Sequence, residues 1–251
     1  IVLMQVGHFF ESYGLDNDKE RSNADNLYRL CDIMNIQLTR KNKNIKENSR
    51  KNPLMIGVNL YSIDKYIQIL LNANYTTVLI EQTSPPPDPD REITNIYSPG
   101  INMCHKSGDS SNFMSIYMET SKNMKNLNDL MYIGMSSIDL STGKNKIFET
   151  FSKVNDKNLA LDEAFRFIQI CDPKEILIYK KDIPLNNHEL SGYLDLQSRV
   201  VHFKEIEDLP KEFNNINYQK AFLEKVFKNT GLLSVIEYID CETKPFGLLS
   251  Y

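Results

Sequence analysis

Close cysteine pairs are missing from this sequence. Cys31, Cys104, Cys171 and Cys241 stand far apart among 251 residues, with no C-x-x-C spacing. Structural zinc sites and redox dithiols need thiols in near pairs, so neither is expected. Cys104–His105 is the one Cys/His neighbour pair along the chain and does not make a metal centre by itself. The four read as reduced thiols of an intracellular protein. Long apolar runs are missing too. Nothing approaches the ~20 residues of a membrane-spanning helix, and no signal peptide is recognisable. There is no basic excess: 29 Lys and Arg face 33 Asp and Glu, a net charge of −4. That excludes a bulk polyanion binder, and any nucleic-acid surface must be a local basic patch on an acidic body. The four histidines (His8, His105, His188 and His202) are scattered, with no nucleophile beside them. "STGK" at 141–144 lacks the first glycine and the last Ser/Thr of a phosphate loop, and reads as a hairpin turn. No internal repeat occurs. The chain opens at Ile1, inside an apolar run and without an initiator methionine, which points to a fragment of a longer protein.

What is present is globular in composition, 41% apolar and 25% charged. The length suits one large domain or two ordinary ones. "IVLMQV" (1–6) predicts a strand. Leu27, Leu30, Cys31 and Met34 fall on one helical face in 23–34. "NIQLT" (35–39) predicts a short strand, and "PLMIGV" (53–58) another. Between them runs "RKNKNIKENSRK" (40–51), with six cations against one acid, Glu47, for a local charge of +5. It has no apolar periodicity and reads as a loop. Ser62 is placed to cap a helix in which Ile63, Tyr66, Ile67, Leu70 and Leu71 repeat at helical spacing. "YTTVLIEQ" (75–82) is a β-branched strand. "SPPPDPD" (84–90) can be neither helix nor central strand. "REITNIYSPG" (91–100) alternates and ends in a turn. Strands alternating with helices make residues 1 to about 101 a small α/β domain.

Residues 102–112 read as a linker, and beyond them the texture changes. "FMSIYME" (113–119), "MYIGMSSIDL" (131–140) and "KNKIFETF" (144–151) are three successive strands, the last two joined by a tight turn at Gly143. A helix follows at 157–170 with Leu161, Phe165 and Ile168 inward. Strands follow at 174–179 and 199–203. A last helix at 217–229 carries Tyr218, Phe222 and Val226. Three strands, helix, strand, helix is a ribonuclease H-like order. In active enzymes of that architecture, carboxylates meet at strand ends to hold paired metal ions. Asp139 is so placed and Glu175 opens a later strand, but no third acid stands out, so no metal or catalytic site is expected.

Two stretches carry binding chemistry. Arg40, Lys41, Lys43 and Lys46, interleaved with asparagines, suit phosphate contact: cations release counterions and amides add hydrogen bonds. Phe9, Phe10 and Glu11 are the other. In a strand, neighbouring side chains point to opposite faces, so one phenylalanine is core and the other needs a reason.

"VLMQVGHFFESYG" resembles the start of the mismatch-recognition domain of the MutS family of DNA mismatch repair proteins, with its Gly-Asp-Phe-Tyr-Glu signature. Further blocks follow in family order: "IQLTRK", "NPLMIGVNLYSIDKYIQILLNANYTTVLIEQT" and "REITNIYSPG". "MYIGMSSIDLSTGKNKIFETF" and "ICDPKEILIY" resemble the family's connector domain. The resemblance covers nearly the whole chain. It implies an α+β protein with a mixed-sheet mismatch-recognition domain over 1–103, a linker over 104–112, a ribonuclease H-like connector over 113–240 and the start of a core domain over 241–251. By position, Phe9 would be a wedge stacked on a mispaired or unpaired base from the minor groove of double-stranded DNA. Glu11 would accept a hydrogen bond from that base. Phe10, in the place of the usual Tyr, would be the buried member of the pair. His8 stands where the family has an acid and becomes a possible groove contact. The basic loop would hold phosphates. The resemblance further implies a dimer, homo- or heterodimeric, whose ATP and Mg site lies outside these residues, and a MutL-like partner reached through the connector. The fragment itself would be no enzyme and hold no cofactor. "QLTRKNKNIKENSRKNPLM" and "PPPDPDREIT" look like the divergent branch of large DNA viruses and some mitochondria, so the location would be DNA-associated in a nucleoid, viral factory or mitochondrion. Two rivals remain: a metal-dependent nuclease centred on Asp139, and a relative that binds branched DNA without mismatch preference.

Overall fold

Alternation and helical periodicity build the first of two units, Ile1–Pro99 and Gly100–Tyr251, in the computed structural model, which describes residues 1–101, 112–122 and 129–226. The first unit runs β1 (Val2–Val6), β2 (Phe9–Asp16), β3 (Arg21–Ser22), α1 (Ala24–Met34), β4 (Thr39–Arg40), β5 (Leu54–Asn59), α2 (Ile63–Asn72), β6 (Thr77–Gln82) and β7 (Arg91–Tyr97). The sheet order is β4-β5-β2-β1-β6-β7, with β3 beside β2. Only β1 and β6 pair in parallel; the other pairs are antiparallel. Leu27, Leu30 and Met34 of α1 and Ile67, Leu70 and Leu71 of α2 pack in one cluster with Leu3, Phe10, Ile56, Val58 and Leu79. Both helices therefore cover the same face of the sheet. The alternate residues of each strand stand on the other face, which no helix of this unit covers.

Two local expectations fail for nameable reasons. The strand expected over 35–39 shrinks to Thr39–Arg40, because Asn35 takes the left-handed conformation (φ 50°) that ends α1. Ser62 makes no side-chain capping bond, because a 3-10 turn over Leu60–Ser62 has already started the helix. Asn59 caps that turn instead, accepting from the Tyr61 amide at 2.9 Å. On the edge strand β7, a bulge opposite Leu79/Ile80 pairs Ile93 with Ile80 and Ile96 with Val78. Two isoleucines three residues apart thereby share the uncovered face, where period two alone would separate them.

The second unit contains β8 (Asn112–Lys122), β9 (Asp129–Asp139), β10 (Lys144–Phe151), α3 (Leu159–Cys171), β11 (Glu175–Lys181), α4 (Asn187–Tyr193), β12 (Val200–Glu205) and α5 (Ile216–Val226). Its sheet order is β10-β9-β8-β11-β12. The first three strands are an antiparallel meander, and β11 and β12 run parallel to β8. In the unit's own count that is 3-2-1-4-5, the ribonuclease H-like order. Gly143 closes the β9–β10 turn at φ 70°, where a side chain would be strained.

Both expected aromatic helix faces are rotated. In α3 the buried stripe is Ala160, Leu161, Ala164, Ile168 and Cys171, and Phe165 is exposed. Small alanines let the helix approach β9 and β10, and Phe165 lies about 100° round from Ala164. In α5 the inward residues are Gln219 and Leu223, while Tyr218 and Phe222 are exposed and stack on each other at 6.4 Å. Helix α4 was not anticipated, although Asn186 and Glu189 form a reciprocal capping box at its entrance. Most of the expected linker 104–112, and all of 241–251, lie outside the described residues, as do Cys104, His105 and Cys241. The strand β8 opens at Asn112. Among the described residues no helix is long and apolar enough to cross a membrane.

Candidate nucleic-acid interface

Gly7 and His8 form the two-residue turn between β1 and β2, with Gly7 at φ 60°, as such turns require. The His8 carbonyl accepts from the Leu60 amide at 2.9 Å, and its side chain is exposed. Phe9 opens β2 and pairs with Val6 and Asn59. Alternation then divides the pair of aromatics. Phe9 is 47% exposed and Phe10 is 1% exposed, inside the core under the helices. A tyrosine at position 10 would bring a hydroxyl into that apolar cluster.

Phe9, Glu11 and Tyr13 follow one another on the uncovered face. Glu11 lies in a cross-strand row whose other members are Ile93, Ile80, Met4 and Gly57. A carboxylate in such a row needs a donor, and Tyr13 supplies it: its hydroxyl donates to Glu11 Oε2. Burial first, then this bond and the Glu11 charge, push the Tyr13 hydroxyl pKa well up, with nearby Arg91 opposing. Glu11 and Tyr13, but not Phe9, border an open trough of about 790 Å³ whose rim also includes Lys41, Arg50, Met55 and Arg91.

The basic loop is held by its asparagines. Asn52, only 3% exposed, donates to the carbonyls of Ile45 (3.1 Å) and Glu47 (2.9 Å) and accepts from the Asn42 amide (2.7 Å). Asn48 donates to the Asp16 carbonyl and Asn17 to that of Asn48. The Asn48 amide, of which phosphate contact was expected, thus folds the loop together with that of Asn52. Lys41, Lys43 and Lys46 are exposed. Arg50 is balanced by Glu20 in a two-pronged pair at 2.9 and 2.6 Å, which draws the Glu20 carboxyl below its ordinary range. Arg40 and Lys43 line a smaller depression with Leu38, Thr39 and Leu54, apart from the trough that Lys41 shares with Glu11. The buried Nε of Arg40 has no hydrogen-bond partner among the described residues. Tyr13, Gly57, Glu20 and Arg91 escaped the sequence reading; only Tyr13 had a signal, as the next member of the Phe9–Glu11 alternation.

The acids of the second unit are engaged elsewhere. Asp139 Oδ1 accepts from the Ser141 amide (2.9 Å) and hydroxyl (2.6 Å), and Oδ2 from the Thr142 hydroxyl (2.8 Å). Those hydroxyl bonds hold its pKa at about 2. Glu175 is buried and accepts from the Gly100 amide at 3.0 Å, with His202 Nε2 2.7 Å from its other oxygen. Metal binding at either carboxylate would have to displace these partners. Among the described residues no three His, Cys, Asp or Glu side chains gather as a metal site.

A helix-backed mixed sheet with one open face, followed by a sheet in ribonuclease H-like order, defines a two-unit α+β protein. Residues 1–106 match the family model for MutS domain I. A mutS homolog of Acanthamoeba polyphaga mimivirus is 29% identical over 271 aligned positions, which take in 100% of this chain and 24% of that protein. The DNA mismatch repair protein MutS of Thermodesulfovibrio yellowstonii is 29% identical over 77% of this chain and 19% of its own. That of Halothermothrix orenii is 26% identical over 100% and 24%. Residues 1–106 are thus similar to MutS domain I and the chain as a whole to these MutS-named proteins, of whose length it spans about a fifth to a quarter. A solved structure, the fowlpox virus Holliday junction resolvase, aligns with 54% of this chain and 90% of its own at 13% identity, with a TM-score of 0.29, too slight to argue from.

Proposed function

We propose that the full-length protein acts in DNA mismatch repair and that this chain is its mismatch reader and connector. The observation that carries the reading is the half-exposed Phe9 beside Glu11 on the open face of a MutS domain I sheet. Phe9 enters the minor groove and stacks on a mispaired or unpaired base. Such a wedge costs a few kcal/mol of unstacking per step, least where pairing is already defective. Mismatched DNA also kinks more cheaply, so deformability supplies much of the discrimination. Glu11 repels phosphates and is satisfied only by a base donor, so it penalises duplexes that offer none. Lys41, Lys43 and Lys46, with Arg40 at the base of the loop, hold the backbone and supply affinity. His8 adds a groove contact that does not repel phosphate as a carboxylate would. Outside this chain, the reading adds a dimeric body that uses ATP and Mg, with a MutL-like partner at the connector. It places the protein on intracellular DNA, in the viral branch that the mimivirus relative represents. Binding of the full-length protein to a G·T mismatch or one-base loop, against matched duplex, tests it. Phe9→Ala should abolish the preference. Survival of the preference in that variant would remove the wedge, and equal affinity for junctions and mismatches would favour a branched-DNA binder.

A further inference from the structure

We infer that Tyr13 is the positioning residue for the Glu11 carboxylate and so sets how strongly a mispaired base is told from a paired one. The inference rests on Glu11 being the base-reading acceptor. Tyr13 and Glu11 are two apart on β2, on the same face, and the tyrosine hydroxyl donates to Oε2. The other oxygen, Oε1, has no hydrogen-bond partner among the described residues. Across the strand on that side stands Gly57. A Cβ there would lie 3.5 Å from Glu11 Cγ and 4.0 Å from Oε1, so the glycine leaves this flank clear. The remaining cross-strand neighbours, Met4, Ile80 and Ile93, offer no donor. Among the described residues no cation pairs with Glu11: Arg50 is held by Glu20, and Arg91 donates to the carbonyls of Gln5 and Pro89.

The carboxylate is thus fixed by one neutral donor, with no cation paired to it, and Oε1 is left to accept from a ligand. A base N–H in the groove can fill that acceptor without displacing Tyr13. A cationic partner would have weakened the repulsion that makes Glu11 selective. A water partner would be lost on docking. With the tyrosine hydroxyl removed, Oε2 is desolvated without a donor in the mismatch complex, which weakens it. In the matched complex the freed carboxylate can rotate away from the phosphates, which strengthens that one. Both changes lower the ratio.

The test is a double-mutant cycle in the full-length protein, with a G·T duplex and its matched counterpart as probes. Tyr13→Phe keeps the ring and removes only the hydroxyl. It should lower the mismatch-to-match affinity ratio about fivefold, and in a Glu11→Ala background it should change nothing. A similar loss in both backgrounds would mean that Tyr13 acts through packing, and overturns the inference. An unchanged ratio in Tyr13→Phe alongside a reduced one in Glu11→Ala overturns it too, while leaving Glu11 as reader. If neither Glu11→Ala nor Phe9→Ala alters the ratio, the underlying reading fails and takes the inference with it.

Discussion

Replacing Phe9 and Phe10 one at a time by alanine separates packing from reading at adjacent positions. Phe10 is 1% exposed, among Leu3, Leu27, Ile56 and Val58. Removing a fully buried phenylalanine costs about 3–5 kcal/mol, the lost transfer energy plus the cavity left behind. Phe9 is 47% exposed on a face that no helix of its own unit covers. It buries about half the area, at roughly 25 cal/mol per Å², and its loss opens no enclosed void, so about 1–2 kcal/mol is expected. With a urea m-value of about 1–3 kcal/mol per molar, the two variants should differ in midpoint by about 1 M. The assay is urea unfolding of the chain followed by far-UV circular dichroism, reading the transition that moves, since two units need not melt together. DNA binding should show the opposite order, with Phe9→Ala losing mismatch preference despite the smaller loss of stability. Equal midpoint shifts for the two variants would refute the reasoning, because Phe9 would then be core.

Three further outcomes follow from the geometry. Asn52→Ala removes a buried amide that ties three points of the basic loop, and should cost about 1–3 kcal/mol while raising protease cleavage between 41 and 51. Lys43→Ala and Lys46→Ala should each weaken mismatched and matched duplexes alike and reduce the slope of log K against log salt by about one; a change confined to mismatches would contradict a backbone role. Asp139→Ala should lower the melting temperature of the second unit at neutral pH. The Asp139 pKa falls from 3.8 to about 2 on folding, so its stabilisation is present above 3.8 and fades as pH drops through 2. The gap between wild type and variant should therefore close over that range, and a pH-independent gap would rule out the hydroxyl cradle as its source.

Much of the fold was legible because strands announce themselves by alternation. The division of Phe9 from Phe10 needed only period two and the knowledge that one face is buried. Helix faces were read less well. Phe165, Tyr218 and Phe222 are large and draw the eye, yet Ala160 and Ala164 define the buried side of α3 because small residues permit close approach to a sheet. Ser62 and Asn35 misled in opposite ways: Ser62 has a cap's chemistry, but the 3-10 turn before it had already started the helix, whereas Asn35, read as the first residue of a strand, is itself the left-handed residue that ends α1. At the candidate site, local spacing exposed Phe9 and Glu11. Apart from Tyr13, the residues that shape its charge are remote in sequence from their partners. Arg50 meets Glu20 thirty residues away, and Arg91 meets Gln5 eighty-six residues away. No pattern along the chain marks such pairs before the strands are laid side by side.

The loop built around Asn52 has a mechanical consequence. Its backbone is tied at Asn42, Ile45 and Glu47 by one buried side chain, while Lys41, Lys43 and Lys46 extend from it into solvent. The frame is tied down and the charged tips are exposed. On the proposed reading, such a comb would follow the changing curvature of a duplex by moving ammonium groups alone, so that DNA bent to different degrees could be gripped without refolding the loop each time.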